Sequence, residues 1–168
     1  MRKFKATIFI LISLFLFHSP VFSETAPIDA IKANVKKMVE ARKKEAPSIT
    51  VAEFNTLMEK QDFYFEILDV RAAEEFTAGR IAGAVHSDRN KLEWVTPKKI
   101  DDPEVPIYVY CKGGARGAIA TLRLIEMGYK NVTNIAGGMK AWANAGYTVY
   151  NEMGEFTFTK DGFGKKPE

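Results

Sequence analysis

Short, almost entirely apolar runs alternate along this chain with segments whose apolar residues recur at helical spacing. Residues 63–70 and 106–110 are the two clearest apolar runs, and residues 132–136 form a shorter one. A run that is apolar on both sides is typical of a strand buried on both faces, as in a parallel sheet covered by helices. The alternation therefore predicts an α/β fold with an open parallel sheet and helices on both of its faces.

Helical spacing is clearest at the start of the domain. Apolar residues at 28–44 indicate an amphipathic helix that ends before Pro47, since the residue before a proline disfavours helical backbone. Thr50 followed by Glu53 forms a capping-box pattern that predicts a helix at 51–60. The other predicted helices are a short one ending near Gly79, one at 117–127 and one at 139–145. Residues 83–103 show no clear pattern.

The first residues have the layout of a secretory signal peptide. Three basic residues precede an apolar run at 6–17, and small residues follow up to Ser23. A bilayer span needs roughly 20 apolar residues, and Pro20 interrupts this run, so a membrane anchor is less consistent with the pattern. We expect residues 1–23 to be cleaved and the protein to be exported, with the periplasm as the favoured compartment.

The rest of the chain is expected to form one domain with two short extensions. Residues 24–47 are predicted to carry the N-terminal helix, and residues 48–150 are predicted to form the folded domain. Residues 151–168 contain scattered glycines and charges, which predict a loose tail.

Charge and composition exclude several classes of function. The chain has 24 basic and 21 acidic residues, and three of the basic ones lie in the leader, so the remaining charges balance. This balance does not favour a nucleic acid or a membrane as partner. The single cysteine cannot close an internal disulfide, and His86 would be the only histidine left after cleavage. We therefore predict neither a metal site nor a bound cofactor.

The single cysteine directly follows the second apolar run, at the point where a ligand binds in a parallel sheet. Adjacent glycines let the loop curl so that its N–H groups converge, and the next helix adds the positive end of its dipole. Both effects favour a thiolate at Cys111 without a histidine base. Arg116 and Lys112 at the rim are expected to hold an anionic sulfur donor. The stretch consists of Cys111, Lys112, Gly113, Gly114, Ala115, Arg116 and Gly117.

Four segments, in order, give the chain a resemblance to the rhodanese family over about residues 48–150. They are Leu68, Asp69, Val70 and Arg71 with Glu74 and Phe76, then residues 79–86, then the Cys111 loop, and finally residues 137–142 with Trp142. The resemblance implies an open five-stranded parallel sheet with helices on both faces. It also implies sulfur transfer through a cysteine persulfide.

The resemblance further implies roles for individual residues. Cys111 matches the catalytic cysteine, and residues 112–116 match the loop that cradles the bound sulfur. Asp69 and Arg71 match residues that brace the site from beneath. The donor would be a small sulfur-containing anion such as thiosulfate, and the acceptor would be cyanide, a thiol or a protein. Gly117 departs from the family, since many single-domain members have serine after the arginine.

Two other functions are compatible with parts of this pattern. Phosphatases and arsenate reductases on related folds typically place five residues between cysteine and arginine, whereas only four separate Cys111 from Arg116. The shorter loop argues against a phosphate-sized substrate. The alternative from another class is a non-catalytic sulfur carrier or protein-interaction module, with the helix at 28–44 as a docking surface.

Overall fold

The structure, a computed structural model, describes residues 27–159 and 162–164. The predicted signal peptide at 1–23 lies outside these residues. The central sheet has five parallel strands: β1 (Ser48–Ile49), β2 (Glu66–Asp69), β3 (Val85–His86), β4 (Ile107–Tyr110) and β5 (Val132–Ile135). Their order across the sheet is β1-β5-β4-β2-β3, and every neighbouring pair is parallel. The predicted five-stranded parallel sheet is confirmed.

Helices connect the strands. They are α1 (Ile28–Glu45), α2 (Val51–Lys60), α3 (Ala73–Ala78), α4 (Leu92–Lys99), α5 (Ala115–Met127) and α6 (Gly138–Asn144), and a 3₁₀ turn at Arg89–Lys91 leads into α4. The capping box at the start of α2 is confirmed. The Glu53 N–H donates to Thr50 Oγ1 at 3.2 Å, and the Glu53 carboxylate accepts the Thr50 N–H at 2.9 Å.

The sheet is covered on both faces, because successive strand residues point to opposite sides. One core cluster joins Leu68, Val70 and Val109 to Leu92 of α4 and Leu124 of α5. The other joins Ile67 and Tyr110 to Phe54 of α2 and Trp142 of α6. Cys111 belongs to the first cluster, so its side chain lies on the α4/α5 face of the sheet.

Strand β2 is shorter than the apolar run that predicts it. Its pairing with β4 begins at Glu66, whose N–H donates to the Pro106 carbonyl at 2.8 Å. Phe63 and Tyr64 precede this point and are exposed. The apolar run in the sequence therefore begins before the strand does, because it includes exposed aromatic residues.

The stretch at 83–103, which shows no clear sequence pattern, contains β3, the 3₁₀ turn and α4. Helix α4 lacks a readable apolar stripe because it includes Pro97, buries the polar Thr96 and exposes Trp94. The hydroxyl of Thr96 lies 3.0 Å from that of Ser87, which satisfies both buried groups.

The predicted loose tail at 151–168 requires a correction over the part that the structure describes, residues 151–159 and 162–164. Three further strands, β6 (Val149–Asn151), β7 (Gly154–Thr159) and β8 (Gly162–Gly164), form a small antiparallel sheet. It is fastened to the main domain by paired backbone hydrogen bonds of 2.8 and 2.9 Å between Arg80 and Tyr150. Phe156 is partly buried and packs against the α2/α6 core cluster, so β7 adds to the hydrophobic core.

Helix α1 lies against α5 but buries none of its own residues. The exposed apolar residues of α1 are Ile28, Ile31, Val35 and Met38. Among the described helices, none is both long enough and apolar enough to cross a membrane.

Candidate active site

Cys111 lies at the carboxyl end of β4, and its side chain is almost completely buried, with 1% of its surface exposed. The Gly114 N–H donates to Cys111 Sγ at 3.2 Å. Gly114 also precedes the first residue of α5 in a left-handed conformation, with φ of 90°. The sulfur therefore sits at the positive end of the α5 dipole and accepts a backbone hydrogen bond, two features that favour negative charge on it.

The Cys111 loop is held from behind by the glycine turn between β5 and α6. The Met139 N–H donates to the Cys111 carbonyl at 2.8 Å, and the Lys140 N–H donates to the Lys112 carbonyl at 2.9 Å. A Cβ on Gly138 would lie 2.1 Å from the Cys111 carbonyl oxygen, and one on Gly114 would lie 2.9 Å from the Gly137 nitrogen. The two loops interlock through backbone atoms, and the close approach requires glycine at both positions.

Arg116 is the second residue of α5, and its guanidinium binds Glu75 of α3. Its two terminal nitrogens donate to the two Glu75 carboxylate oxygens at 2.8 and 2.9 Å. Both side chains are about one-third exposed. The sequence pattern predicts a donor-binding role for Arg116, and that role stays a prediction. Sequence reasoning misses Glu75, because 41 residues separate it from Arg116 and no local pattern links them.

Charge on both partners is stabilised by this contact. Hydrogen bonding from Arg116 lowers the pKa of Glu75 below its ordinary value, against the opposing effect of burial. Hydrogen bonding to Glu75 in turn raises the pKa of Arg116, and the nearby charges of Glu75, Cys111 and Asp69 raise it further.

Asp69 and Arg71 form a buried ion pair at the end of β2, next to β4. Arg71 Nε lies 2.9 Å from both Asp69 carboxylate oxygens, and its Nη2 donates to the Gly79 carbonyl at 2.6 Å. Burial opposes the charged guanidinium, but the hydrogen bonds and charge of Asp69 outweigh it and raise the pKa of Arg71. Neither residue has a hydrogen bond to Cys111 Sγ in the described part of the chain. The pair holds the Gly79 carbonyl, and the Arg71 guanidinium lies 5.4 Å from the ring centroid of Tyr110, the residue before Cys111. The bracing role of Asp69 and Arg71 stays a prediction.

The remaining loop residues differ in exposure. Lys112 and Gly113 are exposed, whereas Ala115 is half-buried in the first turn of α5. Gly117 lies inside α5, where a Cβ would come within 2.4 Å of Asn134 Oδ1. A side chain at this position would require the amide of Asn134 to move.

Among the described residues, no three histidine, cysteine or acidic side chains lie together in a way that could hold a metal ion. The described site consists of one buried sulfur, a backbone N–H group that donates to it and the partly exposed Glu75–Arg116 pair at its rim.

Comparison with known proteins points to one family. A family model described as the rhodanese-like domain matches residues 50–145. The chain is 34% identical over 86 residues to the thiosulfate sulfurtransferase GlpE of Coxiella burnetii, covering 51% of this chain and 77% of that protein. It is 31% identical over 104 residues to the adenylyltransferase and sulfurtransferase of Lodderomyces elongisporus, covering 56% of this chain but only 23% of that protein.

A solved structure shows the same fold. A Rhodopseudomonas palustris protein, described as of unknown function and a possible tyrosine phosphatase, superposes with a TM-score of 0.61 at 29% identity. The match covers 67% of this chain and 91% of that one. With its cysteine loop at the end of β4, its five-stranded parallel sheet and a family match over more than half of its length, the chain belongs to the rhodanese-like domain family.

Proposed function

We propose that this protein is a sulfurtransferase that carries sulfane sulfur as a persulfide on Cys111. In the first step the Cys111 thiolate attacks the outer sulfur of a donor such as thiosulfate. A new S–S bond forms on Cys111, the S–S bond of thiosulfate breaks, and sulfite leaves with the electron pair. In the second step cyanide or a thiolate attacks the outer sulfur of the persulfide, and the Cys111 thiolate is regenerated.

The observation that carries the proposal is the contact between Cys111 Sγ and the Gly114 N–H at the start of α5. A fixed backbone donor stabilises negative charge on sulfur both before and after transfer, without reorganising. The names of the relatives support sulfur transfer as the class of reaction. The loop also has four residues between Cys111 and Arg116, one fewer than phosphatases on related folds typically use.

Intact mass spectrometry tests the proposal directly. The reduced protein would be incubated with thiosulfate, measured, then treated with cyanide and measured again. We expect a gain of one sulfur atom that cyanide removes, and no gain in Cys111→Ala, because the chain has no other cysteine. If the reduced protein gains no sulfur from thiosulfate or from a small organic persulfide, the sulfurtransferase proposal is wrong.

A second candidate is a carrier that exchanges sulfur only with another protein. It is favoured by the row of exposed apolar side chains on α1, a type of surface that often marks a protein contact. Such a carrier would form the persulfide but show no steady turnover with cyanide and small donors. Continuous turnover in the same assay would therefore favour the enzyme.

A further inference from the structure

Two arginines near the Cys111 loop, Arg116 and Arg71, are each paired with a carboxylate. Both terminal nitrogens of Arg116 are occupied by Glu75, and Arg71 is paired with Asp69. Glu75 takes the end-on pair of N–H groups of Arg116, one of the paired arrangements through which a guanidinium binds an oxyanion, and leaves the other N–H groups of the arginine to a ligand. An anionic ligand can bind Arg116 only if it displaces Glu75 or shares the guanidinium with it.

Lys112 is the remaining cation of the loop. Its side chain is exposed, and within residues 27–159 it takes part in no hydrogen bond or ion pair. An exposed ammonium is strongly hydrated and screened by salt, so it attracts a ligand only weakly. The loop therefore offers a dianion less positive charge than the two basic residues in its sequence suggest.

Glu75 is held in place from two directions. It lies in the first turn of α3, where its carboxylate accepts the Ala72 N–H at 3.3 Å in addition to the two bonds from Arg116. Its lowered pKa keeps it ionised at neutral pH. A carboxylate fixed in this way is a permanent negative charge beside the site and not a mobile surface group.

Resting on the proposed sulfur transfer, we propose that Glu75 sets the charge of the donor that Cys111 accepts, by neutralising Arg116. The site then takes sulfur preferentially from donors with at most one negative charge, such as the persulfide of a thiol, over the dianion thiosulfate. With such a donor the Cys111 thiolate attacks the outer sulfur, the donor S–S bond breaks, and the donor leaves as a thiolate. Glu75 is thus a positioning residue that acts through Arg116.

The test compares Glu75→Gln with Glu74→Gln. Glutamine can keep a hydrogen bond to Arg116 while removing the charge. Glu74 is the adjacent residue of the same helix, is exposed, and makes no side-chain hydrogen bond or ion pair within the described residues, so it controls for the loss of one negative charge.

The first readout needs no sulfur transfer. Because Cys111 is the only cysteine, its alkylation by anionic iodoacetate and by neutral iodoacetamide can be followed without interference. The two reagents are similar in size, so their rate ratio reports the local field and not access to the buried thiol. We expect Glu75→Gln to raise the iodoacetate to iodoacetamide ratio roughly three- to ten-fold and Glu74→Gln to leave it within about two-fold.

The second readout uses two donors of nearly the same shape, thiosulfate and the monoanion methanethiosulfonate, with cyanide as acceptor. Glu75→Gln should raise the kcat/KM ratio of thiosulfate to methanethiosulfonate by a similar factor. An unchanged alkylation ratio, or equal changes in Glu75→Gln and Glu74→Gln, would overturn the role of Glu75 even if sulfur transfer proceeds. Failure of Cys111 to react with either iodoacetate or iodoacetamide would also overturn it. A shifted alkylation ratio without turnover of either donor would retain the charge selection and overturn the proposed enzyme.

Discussion

Two glycines at this site are required because a side chain there would collide with neighbouring backbone atoms. Gly138 has a φ of 54°, and its Cα faces the Cys111 carbonyl so closely that a methyl group cannot fit. Gly114 faces the backbone of Gly137 in the same way. A collision with backbone cannot be relieved by a rotamer change, so the loop itself would have to move.

Replacing Gly138 by alanine should therefore destabilise the protein by at least about 2 kcal/mol, the sum of left-handed strain and the collision with Cys111. Gly146→Ala is the matched control, because Gly146 also has a left-handed φ, of 77°, but has open space around the added methyl group. It should cost only about 1 kcal/mol. Urea denaturation measures both, and equal losses would show that the loop absorbs the collision without strain.

At the scale of elements, the Glu75–Arg116 pair ties α3 to α5 across the mouth of the site. The two helices follow different strands, β2 and β4, which are neighbours in the sheet. The pair thus links two segments that are 41 residues apart in sequence. Because both side chains are partly exposed, the expected contribution to the free energy of unfolding is below about 1 kcal/mol.

This tie should weaken in acid. The folded-state pKa of Glu75 is lowered, so its stabilising effect is complete above its ordinary value of 4.5 and is lost as the pH falls through the lower folded value. The difference in unfolding free energy between the wild type and Glu75→Gln should be constant from pH 5 to pH 7 and should shrink below pH 4.5. Urea midpoints measured across this range test it. A difference that grows in acid would contradict the assignment, and Glu74→Gln should differ little from the wild type throughout.

Elements with a local signal are the ones that the sequence predicts well. Thr50 and Glu53 lie within one turn and mark the start of α2, and the apolar run before Cys111 marks β4. Strand β3 has only two residues, which is too short for any periodicity. The antiparallel β6–β7 pair makes contacts with Arg80, some 70 residues away in sequence. The sequence of residues 149–159 alone therefore does not predict these strands.

The same distinction applies to the site. The position of Cys111 after a strand and before a helix follows from neighbouring residues, whereas the partner of Arg116 is set by how two helices pack. Sequence reasoning therefore finds the sulfur and its backbone cradle but misses the carboxylate that faces the arginine.

For the molecule as a whole, the core is formed by the sheet and by α2, α4, α5 and α6, and α1 lies on its outside. Ile31 and Val35 of α1 are 46% and 50% exposed. Replacing them by polar residues therefore removes little buried apolar surface. The double substitution Ile31→Ser and Val35→Ser should change the free energy of unfolding by less than about 1 kcal/mol, because serine, isoleucine and valine have similar helix propensities and both side chains are about half-exposed. Thermal unfolding at two protein concentrations measures this. A larger loss that depends on concentration would show that a second copy covers these residues.

The interlocked backbones of the Cys111 loop and the Gly137–Gly138 turn have a consequence for how the site can be altered. The carbonyl groups of Cys111 and Lys112 receive their hydrogen bonds from peptide N–H groups of α6, so the curvature of the loop does not depend on which side chains it carries at 112, 113 and 115. The side chains at those positions can therefore be changed while the backbone of the loop stays the same. A combinatorial library confined to them would explore new donors and acceptors while the sulfur stays where β4 and α5 hold it.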